Sequence, residues 1–319
     1  MPAPFANRRD FLKVSAGLAA ASLPVCRLSA ADRKRVLRIA HVTDVHVQPE
    51  LRAPEGMAAC LRHIQASSDK PNLILSGGDH VMDCIRQTRD RTRVQWNLWK
   101  QISTAENAIP IRSCLGNHDI WGWNKSKSGS TGNEPDYGKK WASEVLGLER
   151  PYYSFTQNGW HFIALDGVQP GAIEGAFYGG LDEEQFAWLK QNLASVPATT
   201  PILIWSHIPI VSALAPLINS RAPRTSPIPI EAGHIHWDAV QILALLTQYK
   251  NVKACLSGHL HRIDHVELKG IHFYCNGAVS GAWWKGKNDG FDEGYAVVDL
   301  FDDGSLDCRY TSYGWNAAA

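Results

Sequence analysis

The chain has 319 residues, a net charge of +1 and a charged fraction of 20%. This composition excludes a disordered chain. The chain also lacks the strong basic excess that is typical of a dedicated nucleic-acid-binding surface. Its first segment, Asn7 to Lys13 (NRRDFLK), carries twin arginines and precedes the apolar stretch VSAGLAAASLPV and the small residues LSAAD. That order is typical of a twin-arginine export signal. It predicts removal of residues 1–31 by way of the twin-arginine export machinery, and a periplasmic or secreted mature protein.

Short apolar runs alternate with amphipathic stretches from about Asp32 onwards. The apolar runs predict strands in VLRIAHVTD, NLILSGGD, IPIRSCLGNHD, PILIWSH, VKACLSGH and IHFYCNGA. The amphipathic stretches predict helices over Pro54–Ser68, Thr88–Glu106, Asp182–Leu193 and Trp237–Tyr249. Two hairpins are expected, with turns at Asn158-Gly159 and Asp303-Gly304.

These patterns favour one α/β domain over residues 32–319, with β-sheets covered by helices. No linker divides the chain, and no later segment approaches the roughly 20 apolar residues that a membrane span needs. The cysteines after residue 31 allow several disulfide pairings, and the sequence does not choose between them. Three of them, Cys114, Cys255 and Cys275, lie within apolar runs, which favours buried thiols.

Potential metal ligands follow one predicted strand after another. In open α/β sheets, ligands gather at the carboxyl ends of the strands, and a glycine beside a ligand lets the backbone come close to an ion. The strand endings are Asp44-Val45-His46, Gly77-Gly78-Asp79, Gly116-Asn117-His118-Asp119, Ser206-His207 and Gly258-His259-Leu260-His261. Each ending alone is an ordinary loop or turn, but five of them at the same end of the strands predict one shared site.

The ligand types indicate which ions such a site prefers. Imidazole, carboxylate and amide groups without a thiolate suit first-row divalent or trivalent ions. There are too many ligands for a single tetrahedral site. Two ions that share a bridging carboxylate, about 3.5–4 Å apart, would use them all.

The ordered set DVH, GGD, GNHD, SH and GHLH resembles the calcineurin-like metallophosphoesterases and spans the chain from Val36 to about Tyr310. This resemblance implies a four-layer α/β/β/α sandwich of two mixed sheets flanked by helices. It also implies two transition-metal ions, of manganese, iron or zinc. The DxH form is similar to the cyclic-nucleotide phosphodiesterase branch. Met82 stands where purple acid phosphatases place a tyrosine, so a tyrosinate-bound iron is not expected.

The resemblance also implies a role for each ligand. One ion is expected on Asp44, His46 and His261, and the other on Asn117, His207 and His259, with Asp79 bridging the two. A hydroxide between the ions is expected to attack the phosphorus of a small phosphodiester. His118 is the expected general acid, and Asp119 is expected to orient it.

Several alternatives stay open in the sequence. Substrate contact and simple packing are both plausible for Trp121, Trp123, Trp283 and Trp284. His80, His234 and His236 have no assigned role. The same site would also serve a phosphomonoesterase, or a metal-dependent binding module without turnover. A serine hydrolase built on Ser206 is disfavoured because no GxSxG motif surrounds that serine. The natural substrate, the metals and the oligomeric state are not determined by the sequence.

Overall fold

Two mixed β-sheets face each other in the computed structural model, which describes residues 33–218 and 230–317. The elements below all lie in the compact unit that begins at Arg35. The export signal predicted within residues 1–31 lies outside the described residues and stays a prediction. In chain order the strands are β1 (Arg35–Val42), β2 (Leu73–Ser76), β3 (Ile111–Ser113), β4 (Tyr153–Gln157), β5 (Trp160–Ala164), β6 (Val168–Pro170), β7 (Phe177–Gly179), β8 (Ile202–Trp205), β9 (Val252–Ser257), β10 (Ile263–Leu268), β11 (Ile271–Asn276), β12 (Gly294–Phe301) and β13 (Leu306–Ser312).

The first sheet has the strand order β13-β12-β1-β2-β3, and the second has the order β10-β11-β9-β8-β5-β4. Strands β1, β2 and β3 are parallel, and so are β5, β8, β9 and β11. The remaining strands of the two sheets pair antiparallel, and β6 and β7 form a separate two-stranded ribbon. Because parallel strands end at the same edge, the loops after β1, β2 and β3 lie together. The loops after β5, β8 and β9 lie together for the same reason.

Helices cover the outer faces of both sheets, and two further helices of four residues lie in the segments that connect strands. They are α1 (Ala53–Gln65), α2 (Arg89–Glu106), α3 (Lys125–Ser128), α4 (Lys139–Leu146), α5 (Glu183–Ser195), α6 (Ala215–Ile218) and α7 (Ala239–Leu246), and residues Asn117–Asp119 form a 3₁₀ turn. The predicted first residues of two helices act as their caps. Thr88 accepts a hydrogen bond from the Arg91 N–H at 3.3 Å, and Asp182 accepts one from the Gln185 N–H at 2.7 Å.

Three apolar cores separate four layers. On β1, Leu37 and Ile39 point towards the second sheet, whereas Ala40 and Val42 pack beneath α1 and α2. Strand β8 alternates in the same way between the inter-sheet core and the core beneath α5 and α7. Since successive side chains of a strand face opposite sides, a strand buried on both faces reads as a continuous apolar run. The layers confirm the predicted α/β/β/α sandwich of two mixed sheets.

The local predictions agree with this architecture. The turn at Asn158-Gly159 joins β4 to β5, and both residues adopt positive φ, of 50° and 84°. The turn at Asp303-Gly304 joins β12 to β13. The predicted helix over Trp237–Tyr249 is shorter than expected and covers only Ala239–Leu246.

The cysteines of the described residues are free thiols. Cys114, Cys255 and Cys275 are buried, as predicted, and burial raises the pKa of each of these thiols. Within residues 33–218 and 230–317, no helix has both the length and the apolar character that crossing a bilayer demands.

Candidate metal centre

The edge where the parallel strands end gathers all seven predicted ligands. Asp44 and His46 follow β1, Asp79 follows β2, and Asn117 follows β3. The second sheet contributes its ligands from the loops after β8 and β9, which carry His207, His259 and His261. Because the two sheets face each other, side chains that lie more than two hundred positions apart in sequence come together at this edge.

One group of ligands surrounds His46. Its Nε2 lies 3.0 Å from Nε2 of His261 and 3.5 Å from Oδ2 of Asp79. The Asp44 Oδ1 atom lies 3.3 Å from Nε2 of His261. The side chains of Asp44 and His46 are fully buried, so these polar atoms have little access to water.

A second group surrounds His207. Its Nε2 lies 3.2 Å from Oδ2 of Asp79, 3.0 Å from Oδ1 of Asn117 and 3.1 Å from Nδ1 of His259. The same carboxylate oxygen of Asp79 therefore borders both groups. The other oxygen of Asp79 accepts the backbone N–H of His118 at 2.8 Å.

The donor set fits metal ions. Asp44 Oδ1 is buried and accepts no hydrogen bond within the described residues, which is costly without a cation. His207 donates its Nδ1–H to the Gly77 carbonyl at 2.8 Å, and the ring Nδ1 of His261 contacts the Gly281 carbonyl at 2.5 Å. These carbonyls fix each imidazole with the lone pair of Nε2 directed at the cluster, which is the arrangement of a metal-binding histidine.

The backbone of the ligand loops is strained. Asp44, His46, Asp79, His259 and His261 have positive φ angles between 49° and 69°. This conformation is uncommon for residues other than glycine and costs about 1–3 kcal/mol at each position. Because this strain recurs at five of the seven predicted ligands, the direction of these side chains is maintained at the cost of an unfavourable backbone conformation.

Two glycines allow the ligand loops to approach each other. A Cβ atom at Gly116 would lie 2.1 Å from Oδ1 of Asp79, and one at Gly258 would lie 2.2 Å from Oδ2 of Asp44. No side chain is compatible with such distances. The glycines of the sequence motifs are therefore required for close packing around the carboxylates.

The electrostatics of the cluster favour neutral imidazoles at two positions. Burial and neighbouring histidines lower the pKa of His46 and of His259 well below the usual value. Burial also acts on His207, but the carboxylate of Asp79 outweighs it and raises the pKa of His207 to about 9. Burial opposes ionisation of Asp44, yet the surrounding histidines, His261 foremost, hold the pKa of this carboxyl below its usual range.

Comparison with known proteins decides the family. A model of the calcineurin-like phosphoesterase family matches residues 37–262, which include all seven predicted ligands. The chain belongs to the calcineurin-like phosphoesterase family. It is therefore a metallophosphoesterase, a hydrolase of phosphoric esters whose family depends on metal ions.

Relatives of this phosphoesterase include two named as phosphodiesterases. A probable cyclic nucleotide phosphodiesterase of Psychrobacter sp. is 23% identical over 82% of this chain and 68% of its own length. A probable glycerophosphodiester phosphodiesterase of Arcobacter nitrofigilis is 23% identical over 71% of this chain and 72% of its own length. The crystal structure of a dimetal phosphatase from Danio rerio superposes with a TM-score of 0.58, covering 88% of this chain and 97% of that one. Its identity is 17%, so this likeness concerns the fold alone.

The partner of His118 in the phosphoesterase differs from the prediction. Its Nδ1 contacts the backbone carbonyl of Met82 at 2.5 Å, and its ring meets that of His46 edge-on at 4.8 Å. Because a carbonyl only accepts, Nδ1 carries a hydrogen whether the ring is neutral or charged. The Met82 carbonyl therefore occupies Nδ1 and leaves Nε2 as the ring nitrogen for other partners.

The prediction that Asp119 orients His118 is wrong. The Asp119 carboxylate is fully buried and accepts hydrogen bonds from the backbone N–H groups of Gly116 and Asp79 and from His80. The 3₁₀ turn over residues 117–119 directs the two neighbouring side chains to different surroundings, which their adjacency in sequence does not reveal.

Two of the predicted substrate-contact tryptophans are core residues instead. Trp121 is 2% exposed, and its indole N–H donates to the Gln87 carbonyl at 3.1 Å. Trp284 is 1% exposed and donates to the carbonyl of His46 at 3.0 Å. Both indoles fill the core of the first sheet, so the prediction of substrate contact is wrong for these two residues.

The other two tryptophans occupy different surroundings. Trp283 is 36% exposed, and its ring lies 4.4 Å from that of His261 and 6.1 Å from that of His46. Trp123 is half-buried, with the Lys139 ammonium 5.7 Å from the centre of its ring. Trp283 therefore borders the metal centre directly, whereas substrate contact by Trp123 stays a prediction.

The structure adds residues to the rim that the sequence left unassigned. The Phe177 ring meets His259 edge-on at 5.9 Å, and the His234 ring lies 6.4 Å from that of His259. The second Gly-His-x-His motif is a signal for His234, but nothing in the sequence marks Phe177. His236 of the same motif is buried and contacts Asp238 at 3.2 Å.

Proposed function

We propose that this phosphoesterase holds two divalent or trivalent transition-metal ions, of manganese, iron or zinc. Asp44, His46 and His261 would hold one ion, and Asn117, His207 and His259 the other. The single observation that carries this proposal is the position of Asp79, whose Oδ2 lies within 3.5 Å of His46 and 3.2 Å of His207. One carboxylate oxygen bordering two ligand groups is the arrangement that a shared ligand requires.

The charge of the ligands suits an anionic substrate. Only Asp44 and Asp79 are acidic, whereas the other ligands are imidazoles and the neutral amide of Asn117. When bound by these residues, such ions would supply Lewis acidity, which polarises phosphoryl oxygens and lowers the pKa of water so that an attacking oxygen is available near neutral pH. Because two carboxylates do not neutralise two divalent cations, the centre keeps a positive charge that attracts a phosphate ester.

His118 is the proposed general acid. The Met82 carbonyl holds its Nδ1–H, so the imidazolium presents the proton of Nε2. The ring lies against His46, and His118 forms one cluster of potential ligand atoms with His46 and Asp79. This nearness to the proposed metal site supports a role for His118 beside the phosphate. Donation of that proton to the departing alkoxide assists a group that leaves poorly without one.

The proposed substrate is a small phosphodiester. Relatives of the chain are named as phosphodiesterases, and the partly exposed ring of Trp283 beside His261 offers an aromatic surface for a substituent of the ester.

The proposal is tested with protein that has been stripped of metal and reloaded with Mn²⁺. Elemental analysis should find two ions per chain, and bis(p-nitrophenyl) phosphate should be hydrolysed with a higher kcat/KM than p-nitrophenyl phosphate. Preference for the monoester would replace the phosphodiesterase with a phosphomonoesterase. Turnover equal to that of Asp79→Ala would instead support a binding module, and full activity in excess chelator would contradict a metal mechanism.

We also propose that the chain is exported through the twin-arginine pathway to the periplasm or beyond. Support comes from the twin arginines and the apolar segment that follows them in the sequence. The double substitution Arg8→Lys with Arg9→Lys keeps the charge but changes the motif. In a bacterium with this pathway, the wild-type chain should reach the periplasm and the double variant should stay in the cytoplasm. Equal periplasmic amounts would contradict the proposal.

A further inference from the structure

A buried polar cluster links the two loops that carry Asp79 and Asn117. Its centre is the carboxylate of Asp119, which is fully buried. This carboxylate accepts the backbone N–H of Gly116 at 2.8 Å, of Asp79 at 3.0 Å and of His80 at 2.8 Å. The loop after β2 and the loop after β3 are therefore tied to each other through one side chain.

His80 completes this cluster. Its Nδ1 lies 2.9 Å from Oδ2 of Asp119, and its Nε2 lies 2.8 Å from the hydroxyl of Ser76 at the end of β2. Because an ionised carboxylate only accepts, Nδ1 donates to it, while Nε2 pairs with the serine hydroxyl, which can either donate or accept. The ring packs edge-on against Trp99, with the ring centres 4.5 Å apart. The imidazole is thus fixed by its contacts with Asp119, Ser76 and Trp99. Its hydrogen bond also fixes the orientation of the Asp119 carboxylate.

The cluster acts on a strained part of the backbone. Asp79 has a φ of 53°, and the N–H groups of Asp79 and His80 both point at the Asp119 carboxylate. A carboxylate that accepts two consecutive N–H groups stabilises this unusual conformation. Its third backbone contact, at Gly116, lies one residue before Asn117. The position of the shared oxygen of Asp79 relative to the Asn117 amide depends on this connection.

We propose that His80 is a positioning residue that acts through Asp119. By fixing the carboxylate, His80 sets the distance between Asp79 and Asn117 and thereby the affinity of the centre for its metal ions. This inference rests on the proposed two-metal site. It assigns no contact with substrate to His80, whose ring is fully buried. Loss of a residue that orients metal ligands lowers metal affinity by about 10- to 100-fold.

Two substitutions separate the contacts of His80. In His80→Asn the amide nitrogen takes a position close to that of Nδ1, so a donor to Asp119 is retained. In His80→Gln the longer side chain brings its amide near the position of Nε2, so contact with Ser76 is retained and the donor to Asp119 is lost. Both replacement side chains are polar and smaller than imidazole or similar to it in size. A difference between the two variants therefore reports the loss of the donor to Asp119 and not a change in polarity.

The experiment measures the apparent Kd for Mn²⁺ by competition with a chelating dye, together with the Tm of the metal-free protein. His80→Gln should raise the Kd about 10-fold or more, and His80→Asn should raise it by less than about 3-fold. Ile242→Ala is the matched control, because this residue of α7 is buried in the core that α7 forms with the second sheet. It should lower the Tm while leaving the Kd within about 2-fold of the wild-type value.

Three results would overturn the inference: wild-type affinity in His80→Gln, a loss in His80→Asn as large as that in His80→Gln, or an equal loss in Ile242→Ala. The last would mean that affinity simply follows stability. These results are distinct from failure of the proposed function, since that failure shows in the wild-type protein as fewer than two bound Mn²⁺ ions.

Discussion

Gly116→Ala tests whether the close approach of the ligand loops is essential. Gly116 has a φ of −102° and a ψ of 171°, which alanine adopts without strain. The only obstacle is contact, since the added Cβ would lie 2.1 Å from Oδ1 of Asp79 and 2.2 Å from its backbone nitrogen. Since a Cβ atom essentially never lies closer than 3.0 Å to another heavy atom, the two loops must separate by about 1 Å.

A separation of this size has a calculable effect on activity. A misplacement of about 1 Å in a reacting group costs on the order of 100-fold in rate. Gly116→Ala should therefore lose about 100-fold in kcat/KM on bis(p-nitrophenyl) phosphate and retain fewer than two Mn²⁺ ions after desalting. The assay combines initial rates at saturating Mn²⁺ with elemental analysis of the desalted protein.

Gly270→Ala is the control for a general loss of stability. Gly270 has a φ of 79° in the turn between β10 and β11, and nothing lies within 4 Å of an added Cβ. Alanine is strained there, so the Tm should fall while metal content and activity stay at wild-type levels. The reasoning is refuted if Gly116→Ala keeps two ions and an activity within about twofold of the wild type.

Three further predictions concern single side chains. Asp79→Asn removes the charge that both ligand groups share, so elemental analysis should show loss of both ions and not of one alone. His118→Asn should keep its metal but slow esters with poor leaving groups by about 100-fold or more, and activated esters much less, as a series of aryl phosphodiesters would show; equal slowing would contradict the acid role. Burial opposes ionisation of Asp299, but its two hydrogen bonds from Arg38, both 2.6 Å, prevail and lower the pKa of Asp299. The folded pKa is thus below the unfolded one, so this ion pair stabilises the protein above about pH 4 and ceases to do so as the pH falls through the folded pKa. In urea denaturation Asp299→Asn should be roughly 1–3 kcal/mol less stable than wild type at pH 7, with a gap that narrows at pH 3; a constant gap would argue against the pair.

Some features of this protein are local in origin, and the sequence determines them. A strand buried on both faces reads as a continuous apolar run, so β1, β8 and β9 can be recognised from their residues alone. The turn at Asn158-Gly159 needs two positive φ angles, which this dipeptide supplies. The ligands can be recognised in the same way, because they follow the strands directly and parallel strands end at one edge.

Other features depend on residues that are distant in sequence. Asp119 is next to His118, yet it contacts the loop after β2, while His118 contacts the carbonyl of Met82. A backbone carbonyl is present at every position, so the sequence carries no signal that this one is used. The direction of each side chain in a strained or 3₁₀ turn is set by contacts across the fold and not by its neighbours.

The tryptophans show the same difference between what the sequence reveals and what the tertiary structure decides. The sequence shows that Trp283 and Trp284 are adjacent, but only the packing of the loop over α1 decides their surroundings. Trp284 fills the space left by Gly56, where a Cβ would lie 2.1 Å from the indole ring, and Trp283 is left at the edge of the metal centre. The sequence thus determined which chemistry is present and at which edge of the sheets it lies. Tertiary packing decided which side chains reach it, because burial is a property of the whole fold and not of a residue type.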